Sequence, residues 1–162
     1  MRHEIPEPPA AQEQRFQTLV NAVLDYAIYM IGADGTVLTW NPGARRFKGY
    51  EPEEIVGRPY STFFLPEDRE SGLPERILGT AAREGRFEGE GWRLRKDGTR
   101  FWAHAVVDAI RDGDGKLSGF AKITRDLTEK REAEQALFNS EQRFRMLVQG
   151  VRDYAIYMLD PD

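Results

Sequence analysis

Few residues in this chain could make or break bonds, and their types narrow the chemistry on offer. Cysteine is absent from the 162 residues, which removes thiolate nucleophiles, thiolate metal sites and disulfides together. The two histidines are His3 and His104, and no Ser-His-Asp constellation can be built around them. Asp112-Gly113-Asp114-Gly115 has the opening of a calcium loop but lacks the closing bidentate Glu, so it reads as a hairpin turn. No Gly-rich phosphate loop ending in Lys-Ser/Thr is present. Glu67, Asp68 and Glu70 follow Pro66 and suit the positive end of a helix. No catalytic residue and no metal ligand is assigned. What remains are two cations, Arg93 and Lys122, which the strand pattern below turns inward. A buried cation must be paired or must bind an anion.

The elements that would position them follow from periodicity. Residues 1–12 are rich in Pro and Glu and read as a disordered tail. From Glu13, the apolar residues Phe16, Leu19, Val20 and Val23 fall on one helical face. Tyr26–Ile31 is a short apolar strand, Ala33-Asp34-Gly35 a tight turn, and Thr36–Trp40 its returning partner. Asn41-Pro42 starts a short helix that stops at Gly49. Glu51–Val56 and the segment after Pro66 add single helical turns, and Pro74 opens a longer helix to Gly85. Three strands follow, Phe87–Lys96, Thr99–Arg111 and Lys116–Leu127, joined at Asp97-Gly98 and at Asp112–Gly115. Two strands, several short helices and three more strands make an α+β domain with one antiparallel sheet.

Alternation along the middle of these strands puts Ala103, Ala105, Val107 and Ala109 on the inner face and His104 outside with Trp102 and Val106. Side chains this small leave room for a ligand; equally, Phe47, Tyr60, Phe63 and Ile77 could fill that room. Arg93 and Lys122 could hold a carboxylate or phosphate. The expectation, however, is an internal pair with Glu88 or Glu90, or a bulge around Gly89 and Gly91 that turns them to solvent.

A repeat dominates the organisation. EQRFQTLVNAVLDYAIYMIGAD (13–34) returns as EQRFRMLVQGVRDYAIYMLDPD (141–162). The chain is therefore expected to be part of a longer tandem protein, with a linker or signalling helix over 129–152 that already enters the second copy at 141. Leu137, Phe144, Val148 and Val151 give that helix a near-heptad seam, interrupted by Lys130, Glu134 and Glu141. Residues 153–162 copy a first strand without its partner, an edge-pairing template. They are expected to dock on a neighbouring chain or be disordered. The net charge of −4 with scattered cations argues against nucleic acid and against a polybasic membrane patch. No eighteen-residue apolar run or secretory leader occurs, and a cytoplasmic location is expected.

Asp34-Gly35, Trp40-Asn41, Gly49-Tyr50, Glu54-Ile55-Val56-Gly57, Arg95-Lys96-Asp97-Gly98 and Asp126-Leu127-Thr128 occur in an order that resembles the landmarks of PAS domains, over about 13–128. The resemblance implies a five-stranded antiparallel sheet that closes on a small-molecule pocket and regulates an attached output module, in bacteria most often a histidine kinase. The pocket positions would be Tyr29, Ile31, Phe47, Tyr60, Ile77, Arg93, Ala103, Ala105, Val107, Lys122 and Thr124. Dimer and signalling contacts would fall on Phe16, Leu19, Val23, Trp102, Asp126, Thr128, Leu137 and Phe144. In the light-sensing flavin branch a cysteine attacks FMN; here Tyr60 stands at that position, within Gly57-Arg58-Pro59-Tyr60-Ser61-Thr62-Phe63-Phe64. The flavin-contacting amides would fall on Arg93, Ala103 and Thr124, so that chemistry is excluded. A haem sensor would use a His on the helix Pro74–Glu84, which has none. The cofactor stays unassigned. The resemblance implies a homodimer joined to a second PAS domain and an effector, either as a sensor or as a ligand-free structural spacer.

Overall fold

The computed structural model describes the backbone of residues 9–158 and the side chains of 10–151. It divides after Leu127 into two units, each described by itself. The first holds α1 (Pro9–Ala22), β1 (Ala27–Gly32), α2 (Pro42–Lys48), α3 (Pro52–Ile55), a 3-10 turn (Tyr60–Phe63), α4 (Pro66–Glu70), α5 (Leu73–Glu84), β2 (Arg86–Leu94), β3 (Arg100–Arg111) and β4 (Leu117–Asp126). The second is one helix, α6 (Thr128–Met158). The sheet runs β1-β4-β3-β2 with every neighbour antiparallel.

Local chemistry sets the boundaries. Asn41 caps α2 in an extended conformation, its Oδ1 accepting from the Ala44 N–H, and Pro42 fills the first turn where no N–H is needed. Gly49 ends the helix at φ 83°, a left-handed conformation that costs glycine little. α5 turns Ile77 and Ala81 inward and is closed by Gly85. Between the sheet and these helices lies an aromatic core. Trp40 stacks on Phe63 (5.5 Å, 14°), and Tyr60 meets Phe64 edge-on at 4.9 Å. Each fully buried large side chain contributes about 1.5–3 kcal/mol.

Three expectations need correction, and the fifth strand takes an irregular form. α1 starts at Pro9, inside the expected tail, and residues 1–8 lie outside the described residues. The returning segment Thr36–Trp40 runs beside β1 but does not form a regular fifth ladder. Ile31 bridges Val37, while the Met30 N–H donates to Thr39 Oγ1 and the Ile28 N–H to Asn41 Oδ1. Side-chain oxygens thus stand where ladder carbonyls would. β2 pairs with β3 without a break through Gly89 and Gly91, so there is no bulge there; the register shift falls at Ile110/Arg111. Finally, the expected strand over 153–162 is helical as far as Met158, where the backbone bonds within α6; residues 159–162 lie outside the described residues.

Candidate functional site

The inner face of the sheet is laid out in cross-strand rows. Phe87, Val107, Lys122 and Tyr29 form one; Gly89, Ala105, Thr124 and Ala27 the next; Gly91, Ala103 and Asp126 the third. The middle row carries nothing larger than threonine, so the face has a trough. Side chains from β2 lie back into it. A Cβ on Gly89 would sit 2.9 Å from the Phe87 ring, and one on Gly91 would sit 2.9 Å from Arg93 Nη1. Glycine at these two positions lets the ring and the guanidinium lie flat on their own strand.

Polar groups crowd this interior. Lys48 and Lys122 are fully buried and Arg93 is 4% exposed. Among the described residues, Lys48 Nζ, Lys122 Nζ, Arg93 Nε and the hydroxyls of Tyr29, Tyr60 and Thr124 have no hydrogen-bonding partner; Arg93 Nη1 donates to the Trp92 carbonyl at 2.6 Å. The cations lie on aromatic faces instead. Lys48 Nζ is 4.1 Å from the Phe63 centroid, Lys122 Nζ 4.3 Å from that of Tyr60, and Arg93 4.2 Å from that of Phe64. Both amines also lie 5.6 Å from the same Tyr29 ring. Desolvated cation–π contacts are worth about 2 kcal/mol, less than the several kcal/mol that burying each charge costs.

The titrations follow from that imbalance. Burial, then Arg93 and Arg95, hold Lys48 down at about 7, with Asp126 opposing. Burial, then Lys48 and Arg93, hold Lys122 well below the usual lysine range. Burial pushes the Tyr60 phenol up. It pushes Tyr29 up as well, reinforced by Tyr60 and opposed by Arg93 and by the Thr124 hydroxyl, which is near but outside hydrogen-bond geometry. At the edge of this interior, Arg95 bridges the Phe47 carbonyl (2.6 Å) and Asp126 (2.7 Å). Beside it a cleft of about 400 Å³ is lined by Arg46, Phe47, Lys48, Gly49, Arg95, Lys96 and Asp97.

The family model described as PAS domain matches residues 25–129. The chain belongs to the PAS family. It is 47% identical over 128 residues to "Two-component system protein A" of Emericella nidulans, covering 79% of this chain and 19% of that protein. It is 24% identical over 120 residues to "Sporulation kinase C" of Bacillus subtilis, covering 74% and 28%. The chain thus spans less than a third of these relatives. Among solved structures, a PAS domain from Colwellia psychrerythraea superposes with a TM-score of 0.67 at 26% identity, covering 74% of this chain and 98% of that one.

The PAS fold gathers the sequence-derived pocket positions into one interior. Tyr29, Ile31, Tyr60, Ile77, Arg93, Ala103, Ala105, Val107, Lys122 and Thr124 are buried, and Phe47 is half-buried beside the cleft. The expected pairing of Arg93 with Glu88 or Glu90 does not form, because those acids point to the other face. Glu88 meets His104 Nε2 at 2.9 Å, and Glu90 accepts from Trp102 Nε1 at 2.7 Å. His104 lies outward, as alternation required. Lys48 was missed. The usable signal was its place four residues after Ala44, on the face of α2 that packs inward.

The signalling positions separate into distinct places. Phe16 and Leu19 are 60% and 69% exposed on α1, and Val23 just after it is half-buried. A groove of about 320 Å³ beneath α1 is lined by Phe16, Val20, Ile28, Met30, Ile110 and Ala121 among others. Of the outer-face residues Trp102, His104, Val106 and Ile110, over which the helix from Glu13 is expected to pack, Ile110 lines this groove with Phe16 and Val20, while Trp102 and His104 meet Trp92, Glu90 and Glu88 of β2. Asn41 ties the end of α1 down. Its Nδ2 donates toward the Val20, Val23 and Tyr26 carbonyls, at 3.3, 3.1 and 3.1 Å. Asp126 closes β4 in its pair with Arg95, and Thr128 opens α6, on which Leu137 and Phe144 are exposed.

Proposed function

We propose that this PAS domain is the sensory and dimerisation module of a signal-transduction protein. It takes a small molecule between sheet and helices and regulates a downstream effector such as a histidine kinase. The observation that carries this reading is the set of buried, unpartnered polar groups under the sheet. The relatives named for two-component signalling and sporulation kinase support the same output. α2 is the connecting rod. Its last residue, Lys48, belongs to the interior cluster, and Asn41 at its start holds the carbonyls that end α1. Movement of α2 would therefore reach α1, and exposed apolar residues on α1 and α6 would carry it to a twin chain. In this reading the domain works in the cytoplasm as a homodimer, next to a second PAS domain begun at 141, without nucleic acid or membrane.

Sedimentation tests it: the chain should be a dimer, and Phe16→Glu a folded monomer. A variant that remains as dimeric as the parent counts against the arrangement. The second reading, a ligand-free spacer, draws on the aromatic packing of Tyr29, Trp40 and Phe63, whose centroids lie 5.0–5.7 Å apart. Denaturing the purified chain and analysing what it releases by absorbance and mass spectrometry separates the two.

A further inference from the structure

Lys48, Arg93 and Lys122 come from α2, β2 and β4, three elements far apart in sequence, and they converge on one aromatic chamber. Among the described residues, the titratable groups that face them come from several elements. Arg95 and Asp126 stand at the edge, bonded to each other at 2.7 Å. Tyr29 faces both lysines, Tyr60 faces Lys122, and Glu75 on α5 is felt at Tyr60. Among the described residues, the carboxylate that acts on Lys48 is that of Asp126, which Arg95 already holds. Three hydroxyls, on Tyr29, Tyr60 and Thr124, add donors without partners. Donors in excess of acceptors and cations in excess of acids describe a receptor for something that brings acceptors and negative charge. The basic cleft beside Phe47, which Lys48 itself lines, offers such a molecule an approach.

We propose that Lys48, Arg93 and Lys122 form an interior receptor for a small oxyanion with two negative charges, a dicarboxylate or a phosphate monoester, bound together with a proton. This rests on the ligand-binding reading above and gives that ligand its chemical class. The proton goes to a buried lysine. An amine kept neutral by burial and by neighbouring cations regains its charge when a dianion supplies the missing counter-charge. No covalent step is involved. Binding therefore strengthens as pH falls, because the complex holds more protons than its separated parts.

The experiment is titration calorimetry on the full chain with succinate, inorganic phosphate and acetate, each in two buffers of different ionisation enthalpy. Succinate or phosphate should saturate, and acetate should bind at least about tenfold more weakly. Which dianion wins separates the carboxylate from the phosphate source. Succinate, whose own charge changes little over about pH 6.5 to 8.5, should lose affinity across that range and show a buffer-dependent heat of the sign for proton uptake. Lys122→Met and Arg93→Gln should each weaken binding at least about tenfold, while Arg83→Gln on the exposed end of α5 should not. Lys48→Gln is the second variant should either of these lose its circular-dichroism signature. Binding unchanged in the folded variants, equal binding of acetate, or no proton uptake overturns the proposal. A neutral apolar molecule retained through purification would overturn it too, yet leave the ligand-binding reading standing. No saturation by any probe, together with blank mass spectra, would sink both.

Discussion

Replacing Lys48 by methionine tests the energetics of the chamber before any ligand is considered. The ammonium is fully buried on Phe63 and Phe101, and its environment holds it at about 7 against an unfolded value of 10.5. The unfolded chain therefore binds more protons than the folded one between those values, so stability must rise with pH through that window. It is lowest below about pH 7, where the charged amine is carried into the core. At about 1.4 kcal/mol per pH unit of difference, the destabilisation is about 4 kcal/mol at pH 7 and about 2 kcal/mol at pH 9. Methionine of similar length removes that cost and keeps contact with the rings, while the cation–π attraction acts only on the charged amine and is already part of where Lys48 titrates. The variant should be more stable than the parent at pH 7 by about 4 kcal/mol in urea unfolding with an unchanged slope, and its lead should shrink to about 2 kcal/mol near pH 9 and vanish above about pH 10.5. Lys122 titrates in both proteins but is held down in part by Lys48, so its partial release in the variant adds to the difference in the same direction. A variant less stable at pH 7, or a gap that stays constant with pH, would refute the reasoning.

Two further substitutions probe the joint between α1 and the interior. In Gly43→Ala the new Cβ would lie 2.0 Å from the Tyr26 carbonyl oxygen, a backbone atom that cannot step aside. We expect a loss of about 3 kcal/mol or more, as for other severe overpacking, read by urea unfolding; a loss below half that would mean the joint yields. Asn41→Asp keeps the oxygen that accepts from Ile28 and Ala44 but loses the amide that donates to α1's last carbonyls. Amide exchange should therefore rise across residues 9–22 while β1, β3 and β4 stay protected. Uniform loss of protection would show that Asn41 holds the whole core rather than the joint.

Much of this was legible because periodicity reports which way a side chain points. The alternation of Ala103, Ala105, Val107 and Ala109 placed the small inner face and put His104 outside, and both follow from backbone geometry alone. Arg93 was harder. Its inward register was read correctly, but nearby Glu88 and Glu90 invited a pairing that strand alternation forbids: residues five and three positions away on one strand point to the opposite face. Gly89 and Gly91 misled for another reason. Glycine permits a bulge, but it also permits a neighbouring side chain to lie across the strand, and only the bodies of Phe87 and Arg93 show which applies. Lys48 follows Arg45 and Arg46 at the end of a short helix, where basic residues ordinarily sit in solvent opposite the dipole. Its burial is decided by Phe63 and Phe101, brought in by the fold from far along the chain.

The clearest demonstration that context decides is internal to the chain. Asp25–Met30 and Asp153–Met158 are the same six residues, Asp-Tyr-Ala-Ile-Tyr-Met. In the first copy, Ala27 to Met30 are strand, each paired to a residue of β4. In the second, the same residues continue α6. A helix satisfies its amides within one segment, whereas a strand needs a neighbour to do so. Restoring a neighbour should switch the second copy. Extending the chain through a complete second PAS domain should convert residues 155–158 to strand, seen as cross-strand contacts in isotope-edited NMR. Helical chemical shifts persisting there in the extended, folded protein would mean that the preceding helix, and not the missing partner, dictates the conformation of this hexapeptide.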